Sequence, residues 1–215
     1  TFRKFEDWHA HDVEQKLGLR RHDELELLNA WLSTTQELPR EYAQLLMGLR
    51  DRLSRQGREW NEAELQLQFI GPFLYTVGLW GDGFDSYSQR RLAAQLGEVH
   101  VEGYIDWMTA SGSYEPEKPY FFVHEYKRFK MNEADPLGQL LIAMVAAAAL
   151  NSDGKLIYGC YVVGQFWHFV LLHENCYGVS QGFDALDRGE LGRIWHTLRR
   201  TRELIVQRVA EEQAG

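Results

Sequence analysis

The amino-acid sequence predicts a mixed α/β fold in which helices flank a central β-sheet. Three observations lead to this fold class. Apolar residues recur at helical spacing over roughly the first 77 of the 215 residues, and extended segments rich in β-branched and aromatic residues follow. An Ala-rich apolar segment at residues 133–150 then returns to helix, before two more extended segments and a closing helix.

The composition is that of a folded domain without a membrane-spanning segment. Hydrophobic residues make up 45% of the chain and charged residues 25%, which are globular averages and argue against disorder. The longest apolar stretch, residues 140–150, is about half as long as a bilayer requires, and no signal segment opens the sequence. Cys160 and Cys176 are expected to be reduced thiols in packing positions. These features predict a cytoplasmic protein with no membrane partner.

The first part of the chain is predicted to be helical. Leucines at helical spacing occupy residues 23–33 and 39–56, so residues 1–60 form a predicted N-terminal helical extension. Asn61 is the candidate N-cap of a third helix over residues 62–77. Pro72 inside that segment predicts a kink or an early end, because proline lacks an N–H and clashes with the preceding turn.

Residues 61–182 are predicted to form the core of the protein, and residues 183–215 a helix that packs on it. Pro136 suits the first turn of the Ala-rich helix at residues 133–150. The pattern predicts three consecutive strands before that helix and two after it, at residues 86–96, 100–110, 119–127, 156–163 and 166–173. A long helix over residues 186–210 closes the predicted order.

Two adjacent predicted strands carry the residues that best fit a catalytic site. Asp106 lies in the second strand, and the third strand ends in Glu125-Tyr126-Lys127, where Glu125 and Lys127 project from the same face. Two carboxylates that converge on one point repel each other unless a cation lies between them, and oxygen ligands with water suit Mg²⁺, with Mn²⁺ as a possible substitute. A lysine beside that metal can orient the attacking water. The pattern therefore indicates phosphodiester hydrolysis.

The order of elements and the spacing of Asp106, Glu125 and Lys127 closely resemble the PD-(D/E)XK nuclease superfamily, over roughly residues 61–173. The resemblance implies a restriction-endonuclease-like αβββαβ core and a Mg²⁺-dependent nuclease in which Asp106 and Glu125 bind the metal and Lys127 positions the water. Ile105 stands where the family often has proline. By the same resemblance, Glu64 on the preceding helix helps to hold the metal, and Gln139 on the following helix faces the site.

The sequence is also compatible with simpler interpretations of these residues. Glu64 is also a plausible solvated helix residue, and Gln139 a plausible polar residue of a first helical turn. The other three residues would also suit a cross-strand salt bridge on an exposed face. Phe121 and Val123 argue against that, because they are expected to share the face of Glu125 and to cover it.

The overall charge complicates an interaction with nucleic acid. The formal net charge is −8, whereas phosphate affinity comes mainly from Lys and Arg. Arg128 and Lys130 directly follow the third strand and are the best placed contacts for a phosphate backbone. Nucleic acid is the expected substrate, with DNA the first expectation and RNA left open. A second copy of the chain or a partner protein is expected to supply additional affinity.

A different class of function is compatible with the same sequence. The nuclease fold can be retained as a catalytically unused module that acts in protein or nucleic-acid binding. Three tryptophans in the flanking helices would then offer partner surfaces, although buried aromatics are the commoner explanation. These tryptophans are Trp31, Trp60 and Trp195. In a third possibility, the strands belong to another α+β fold and the Asp, Glu and Lys set is coincidental.

Overall fold

The computed structural model describes residues 1–23, 25–128 and 135–214. In these residues the chain is a mixed α/β protein with a central mixed sheet and helices on its faces, as the sequence predicts. The strands are β1 (Phe2–Lys4), β2 (Arg20–Arg21), β3 (Asp85–Leu96), β4 (Val99–Ser111), β5 (Glu117–Lys127), β6 (Ile157–Val163), β7 (Phe166–His173), β8 (Cys176–Val179) and β9 (Phe183–Asp184).

The helices lie before, between and after the main strands. They are α1 (Ala10–Leu17), α2 (Glu26–Leu32), α3 (Ala43–Gln56), α4 (Glu62–Leu65), α5 (Gly71–Val77), α6 (Pro136–Asn151) and α7 (Arg188–Ala214). A π-helical segment, Gln66–Ile70, joins α4 to α5, and a single 3₁₀ turn, Phe5–Asp7, follows β1. Among the residues that the structure describes, no helix is both long and apolar enough to cross a bilayer.

The central strands pair in a mixed pattern. Strand β4 is antiparallel to both β3 and β5, whereas β5 and β6 are parallel. A parallel pair needs a crossover connection, which here includes α6. Helix α6 packs so closely on the sheet that a Cβ at Gly159 of β6 would lie only 2.5 Å from the sulfur of Met144. The predicted order of helix, three strands, helix and strand is therefore the observed order.

Apolar side chains fill both faces of the sheet. The face that α6 covers holds one buried cluster, which also includes Phe5 and Trp8 from the N-terminal segment. Helix α1 also packs in this cluster, whereas the other face of the sheet packs against α2 to α5 and α7. The three tryptophans considered as partner surfaces lie in this second cluster, and the indoles of Trp31 and Trp195 donate to Thr201 and Thr76. They are core residues, so the idea of exposed aromatic patches at these positions is wrong.

The N-terminal residues do more than form helices. Strand β1 pairs in parallel with the start of β4, and β2 pairs with β8 at the far end of the sheet. The backbone N–H of Ala10 donates to the carboxylate of Asp135 at the start of α6, with an N–O distance of 2.8 Å. Strands of two or three residues are too short to show a periodic pattern, so the sequence predicts only helices here.

Pro72 does not end its helix. It is the second residue of α5, directly after the π-helical segment, and the N–H of Gly71 bonds to the carbonyl of Gln66. A π-turn is wider than an α-turn, so it accommodates a proline ring without a break in the helical path. The prediction of a kink or an early end at Pro72 is therefore replaced by a change of helical pitch.

Candidate active site

A gap in strand pairing locates the candidate site. One edge of β4 pairs with β3 along nearly its whole length. On the opposite edge, β1 pairs with residues 100–102 and β5 pairs from Trp107 onward. Residues 103–106, all of which the structure describes, pair with neither strand on that edge. The sheet therefore opens at Asp106, where β4 and β5 diverge.

The carboxylate of Asp106 bridges the diverging strands. Its Oδ2 accepts a hydrogen bond from the backbone N–H of Tyr126 at 2.8 Å, and its Oδ1 accepts one from the side-chain amide of Gln89 at 2.7 Å. Both donors lie on neighbouring strands, Tyr126 on β5 and Gln89 on β3. Asp106 is therefore held from both sides in one orientation.

Glu125 and Lys127 form a close pair beside Asp106. Lys127 Nζ donates to Glu125 Oε1 at 2.6 Å, and their side chains are only 17% and 13% exposed. Burial and, next, the charge of Asp106 raise the pKa of Glu125, Lys127 opposes both, and the net pKa is about 7. Burial by itself lowers the pKa of Lys127, but the carboxylate of Glu125 outweighs this and the pKa ends above its ordinary value. Negative charge at Glu125 is thus costly near neutral pH.

These residues line one cavity of about 290 Å³. Its walls come from four parts of the chain: the N-terminal segment, β3, β4 with β5, and α6. The N-terminal wall lies directly on β4, because a Cβ at Gly103 would lie 2.5 Å from the ring of Phe5. The lining residues include Lys4, Phe5, Glu6, Gln89, Arg91, Glu102, Tyr104, Asp106, Glu125, Lys127 and Gln139.

Gln139 reaches the cavity from the first turn of α6. Its residue is 8% exposed, and its Oε1 accepts no hydrogen bond from the residues that the structure describes. A buried carbonyl oxygen without a donor costs about 1–3 kcal/mol. The cavity therefore contains an acceptor that a bound water or ligand can satisfy. The structure places Gln139 in the same cavity as Asp106, Glu125 and Lys127, which is where the family resemblance expects a polar residue.

Glu64 does not join them. Its carboxylate accepts from the backbone N–H of Asn61 at 2.8 Å, while its own N–H donates to Asn61 Oδ1 at 2.9 Å. This reciprocal capping box occupies Glu64 at the helix start and confirms Asn61 as the N-cap. The carboxylate of α4 that does influence the site is that of Glu62, because its charge raises the pKa values of Glu125 and Lys127.

The structure describes one of the two expected phosphate contacts. Arg128 is exposed directly after β5, whereas Lys130 lies outside the described residues. Two arginines of α7 bind backbone carbonyl groups of the protein itself. Arg199 donates to the carbonyl of Val77 and Arg202 to that of Gly78, and both hydrogen bonds cap the end of α5.

The face of Glu125 differs from the expectation in one residue. Val123 packs with α6 on that face, but Phe121 belongs to the cluster on the opposite face. The pairing of β4 with β5 shifts by one residue here, because Thr109 faces Phe122 and Ala110 faces Tyr120. Phe121 is the extra residue of this β-bulge, and a bulge reverses the alternation on which the expectation rested.

Sequence reasoning missed Gln89 and the N-terminal wall. The segment YSQRRLAAQL gives no local signal that Gln89 meets Asp106, since the contact depends on cross-strand register. The wall depends on pairing between residues almost a hundred positions apart, such as Phe2 and His100. Neither contact has a pattern within a short window of sequence.

The donor set fits a hard divalent cation bound mainly through water. Among the described residues, no group of three or more His, Cys, Asp or Glu side chains forms a closed metal site. Mg²⁺ commonly uses one or two carboxylates and completes its octahedron with water and substrate oxygens. Asp106 and Glu125 supply that number, and a cation beside them would offset the cost of charge on Glu125.

Comparisons with known proteins leave the assignment to the geometry. No family model matches the sequence, and no curated protein matches it significantly.

Proposed function

We propose that this protein is a Mg²⁺-dependent nuclease that hydrolyses phosphodiester bonds. The observation that carries the proposal is the convergence of Asp106, Glu125 and Lys127 at one opening of the sheet, where Glu125 resists ionisation near pH 7. A carboxyl group whose pKa is raised by burial and by a neighbouring carboxylate is a common mark of a functional site. A cation is the simplest partner for it.

Each residue of the cavity has a role in the proposed reaction. Asp106 and Glu125 would hold the metal, with Mn²⁺ as a functional substitute. A bound metal supplies Lewis-acid polarisation of the phosphate and a water of lowered pKa. Lys127 brings a positive charge that orients the water and steadies charge on the phosphate. Gln139 Oε1, which accepts no hydrogen bond from the described residues, would accept one from that water. In the hydrolysis, the water oxygen bonds to phosphorus while the P–O bond to the leaving oxygen breaks. The proton that the water loses passes to solvent, and solvent supplies one proton to the leaving oxygen.

The order and pairing of the elements support the likeness to the PD-(D/E)XK superfamily. Helix α5 precedes three antiparallel-paired strands, and α6 leads to the parallel strand β6. The proposed metal ligands lie on the second and third of these strands and the lysine on the third, which are the positions that the family uses. We therefore include a restriction-endonuclease-like core in the proposal.

Substrate affinity is proposed to come partly from outside this chain. The net charge is −8, and the acidic cavity residues add to the repulsion of phosphate until a cation binds. Arg128 is an exposed cation at the end of β5 and is a proposed backbone contact. A second copy of the chain or a partner protein would provide further Lys and Arg contacts to the DNA backbone.

The test is metal-dependent cleavage by the wild type and by two site variants. End-labelled single- and double-stranded DNA and RNA are incubated with Mg²⁺, Mn²⁺ or EDTA, and the products are separated by electrophoresis. We expect cleavage only with metal, and Asp106→Asn and Lys127→Ala to lower the rate at least ~100-fold, the usual loss for acid–base or metal-site groups.

Matched controls carry the same changes on the surface. Asp82→Asn and Lys155→Ala alter exposed or partly exposed groups that lie outside the cavity and should cleave like the wild type. Absence of cleavage on every substrate, together with no Mn²⁺ binding by calorimetry, would refute the nuclease proposal. Cleavage that persists in both site variants would refute this choice of residues.

A further inference from the structure

We propose that Gln89 is a positioning residue, which holds Asp106 in the orientation that the metal site needs. This inference rests on the proposed function, because it assigns a role within the same cavity. Gln89 touches neither substrate nor metal in this proposal. It acts through Asp106. Three independent features of the structure support this role: the backbone conformation of Gln89, the change of side-chain face in its strand, and its hydrogen bond to Asp106.

The backbone at Gln89 is left-handed in the middle of a strand. Its φ is +52°, although its neighbours pair regularly, Ser88 with Trp107 and Arg90 with Ile105. The other described non-glycine residues with positive φ lie at ends of elements, Ser152 at the C-cap of α6 and Glu174 between β7 and β8. A left-handed non-glycine residue costs about 1–2 kcal/mol, which persists only where the surroundings require it.

The conformation of Gln89 coincides with a change of side in two strands. In β3, the residues in the core cluster under α6 change from Tyr87 on one side of Gln89 to Leu92 and Ala94 on the other. Tyr87 is at an odd-numbered position, whereas Leu92 and Ala94 are at even-numbered ones. The alternation of side chains between the two faces of β3 therefore shifts by one residue near Gln89.

The partner strand changes side at the same place. In β4, Val101 and Ile105 lie in the cluster under α6 before the shift, and Met108 and Ala110 after it. Gln89 and Asp106 face each other at this point, since the pairs on both sides of them are in one continuous register. The change of face in both strands therefore centres on the Gln89–Asp106 pair. With regular alternation, one of these two side chains would point in another direction.

The side chain of Gln89 uses this position to bind Asp106. Its Nε2 donates to Asp106 Oδ1 at 2.7 Å, opposite the bond from Tyr126 to Oδ2. Each carboxylate oxygen has two lone pairs, so one on each oxygen stays available beside these bonds. An amide is suited to this task because it donates without adding charge. A lysine or arginine at the same place would compete with a cation for Asp106.

Two substitutions separate the side chain from the backbone. Gln89→Gly removes the amide but tolerates a positive φ, so it should keep or raise stability. Gln89→Glu has nearly the same length but replaces the donor by a charge that repels Asp106. Gln95→Glu is the matched control, because Gln95 is an exposed residue of the same strand whose amide bonds to Gly97.

We expect Gln89→Gly to weaken Mn²⁺ binding 10- to 100-fold by calorimetry, the usual effect of losing a group that orients a metal ligand. The cleavage rate at saturating Mn²⁺ should fall much less than the rate at low Mn²⁺. Gln89→Glu should bind Mn²⁺ with a different affinity from Gln95→Glu, and urea unfolding should show that all variants fold. A purely structural role would leave the Mn²⁺ affinity and the Mn²⁺ dependence of cleavage in Gln89→Gly at the wild-type values, whatever happens to stability.

The contact is also measured without metal. In ¹⁵N-labelled protein, the side-chain amide signals of Gln89 should shift strongly in Asp106→Ala, whereas those of Gln95 should not. Wild-type Mn²⁺ affinity in Gln89→Gly, or a Gln89 amide that ignores Asp106→Ala, would overturn the inference. Failure of the nuclease proposal has a different signature: the wild type binds no Mn²⁺ and cleaves nothing, while the Gln89 amide still responds to Asp106. That result would overturn the metal-site role of Gln89 as well.

Discussion

Two carboxyl groups, Asp135 at the start of α6 and Glu125 in the cavity, have opposite surroundings. Asp135 accepts three backbone hydrogen bonds, from Ala10, Leu137 and Gly138, at 2.8 to 3.1 Å. Glu125 accepts from Lys127 and shares its cavity with Asp106. Backbone donors thus make a carboxylate a structural clamp, whereas a second carboxylate beside it makes its negative charge costly unless a cation binds.

The largest expected effect breaks the clamp. Asp135→Ala removes the N-cap of α6 and leaves the N–H of Ala10 without its acceptor, so we expect a loss of about 3 kcal/mol in the free energy of unfolding. Urea unfolding followed by circular dichroism measures it. Asp82→Ala, at an exposed position, is the control and should change stability little. A loss below ~0.5 kcal/mol would contradict the clamp.

A smaller effect, of opposite sign, is expected at Glu125. The pKa of its carboxyl group is about 7 in the folded chain against 4.5 ordinarily, so the folded state holds a proton that the unfolded state releases between those values. Glu125 therefore contributes most to stability below pH 4.5, and this contribution is lost as the pH rises to about 7. Glu125→Gln imitates the protonated group at every pH.

The measurement at Glu125 is urea unfolding in EDTA at pH 5 and pH 8. We expect Glu125→Gln to exceed the wild type by roughly 2 kcal/mol at pH 8 and by much less at pH 5. Mn²⁺ should then stabilise the wild type more than the variant, because it binds the carboxylate of the folded state. A variant that is less stable than the wild type at pH 8 would show that the pair with Lys127 outweighs the cost of the charge.

The smallest expected effect concerns Glu64. Glu64→Ala removes one half of the capping box at Asn61, so we expect a loss of about 1 kcal/mol in stability with unchanged metal-dependent cleavage. Thermal unfolding and the cleavage assay measure the two quantities. Glu62→Ala is the matched comparison, since Glu62 acts on the charges of Glu125 and Lys127 but is not part of the box. A large loss of cleavage in Glu64→Ala would return Glu64 to the site.

Much of the fold was predictable because its signals are local. Pro136 and the Ala-rich run predict α6 to within a few residues, and Asn61 predicts the start of α4. The Glu125 and Lys127 pair is equally local, since a spacing of two in a strand places both side chains on one face. Glu64 was misassigned because several carboxylates lie close together near the helix start, and only the three-dimensional contact shows which one the cap uses.

Local sequence was enough to predict the main helices and strands, their order and the three residues Asp106, Glu125 and Lys127, because periodicity and short spacings depend on neighbours along the chain. The contacts, burial and pKa values of those residues depend on the tertiary structure. Pairing between distant strands placed Gln89 against Asp106 and Phe5 against Gly103, and burial raised the pKa of Glu125. Register and desolvation depend on residues far apart in sequence, so no local pattern records them.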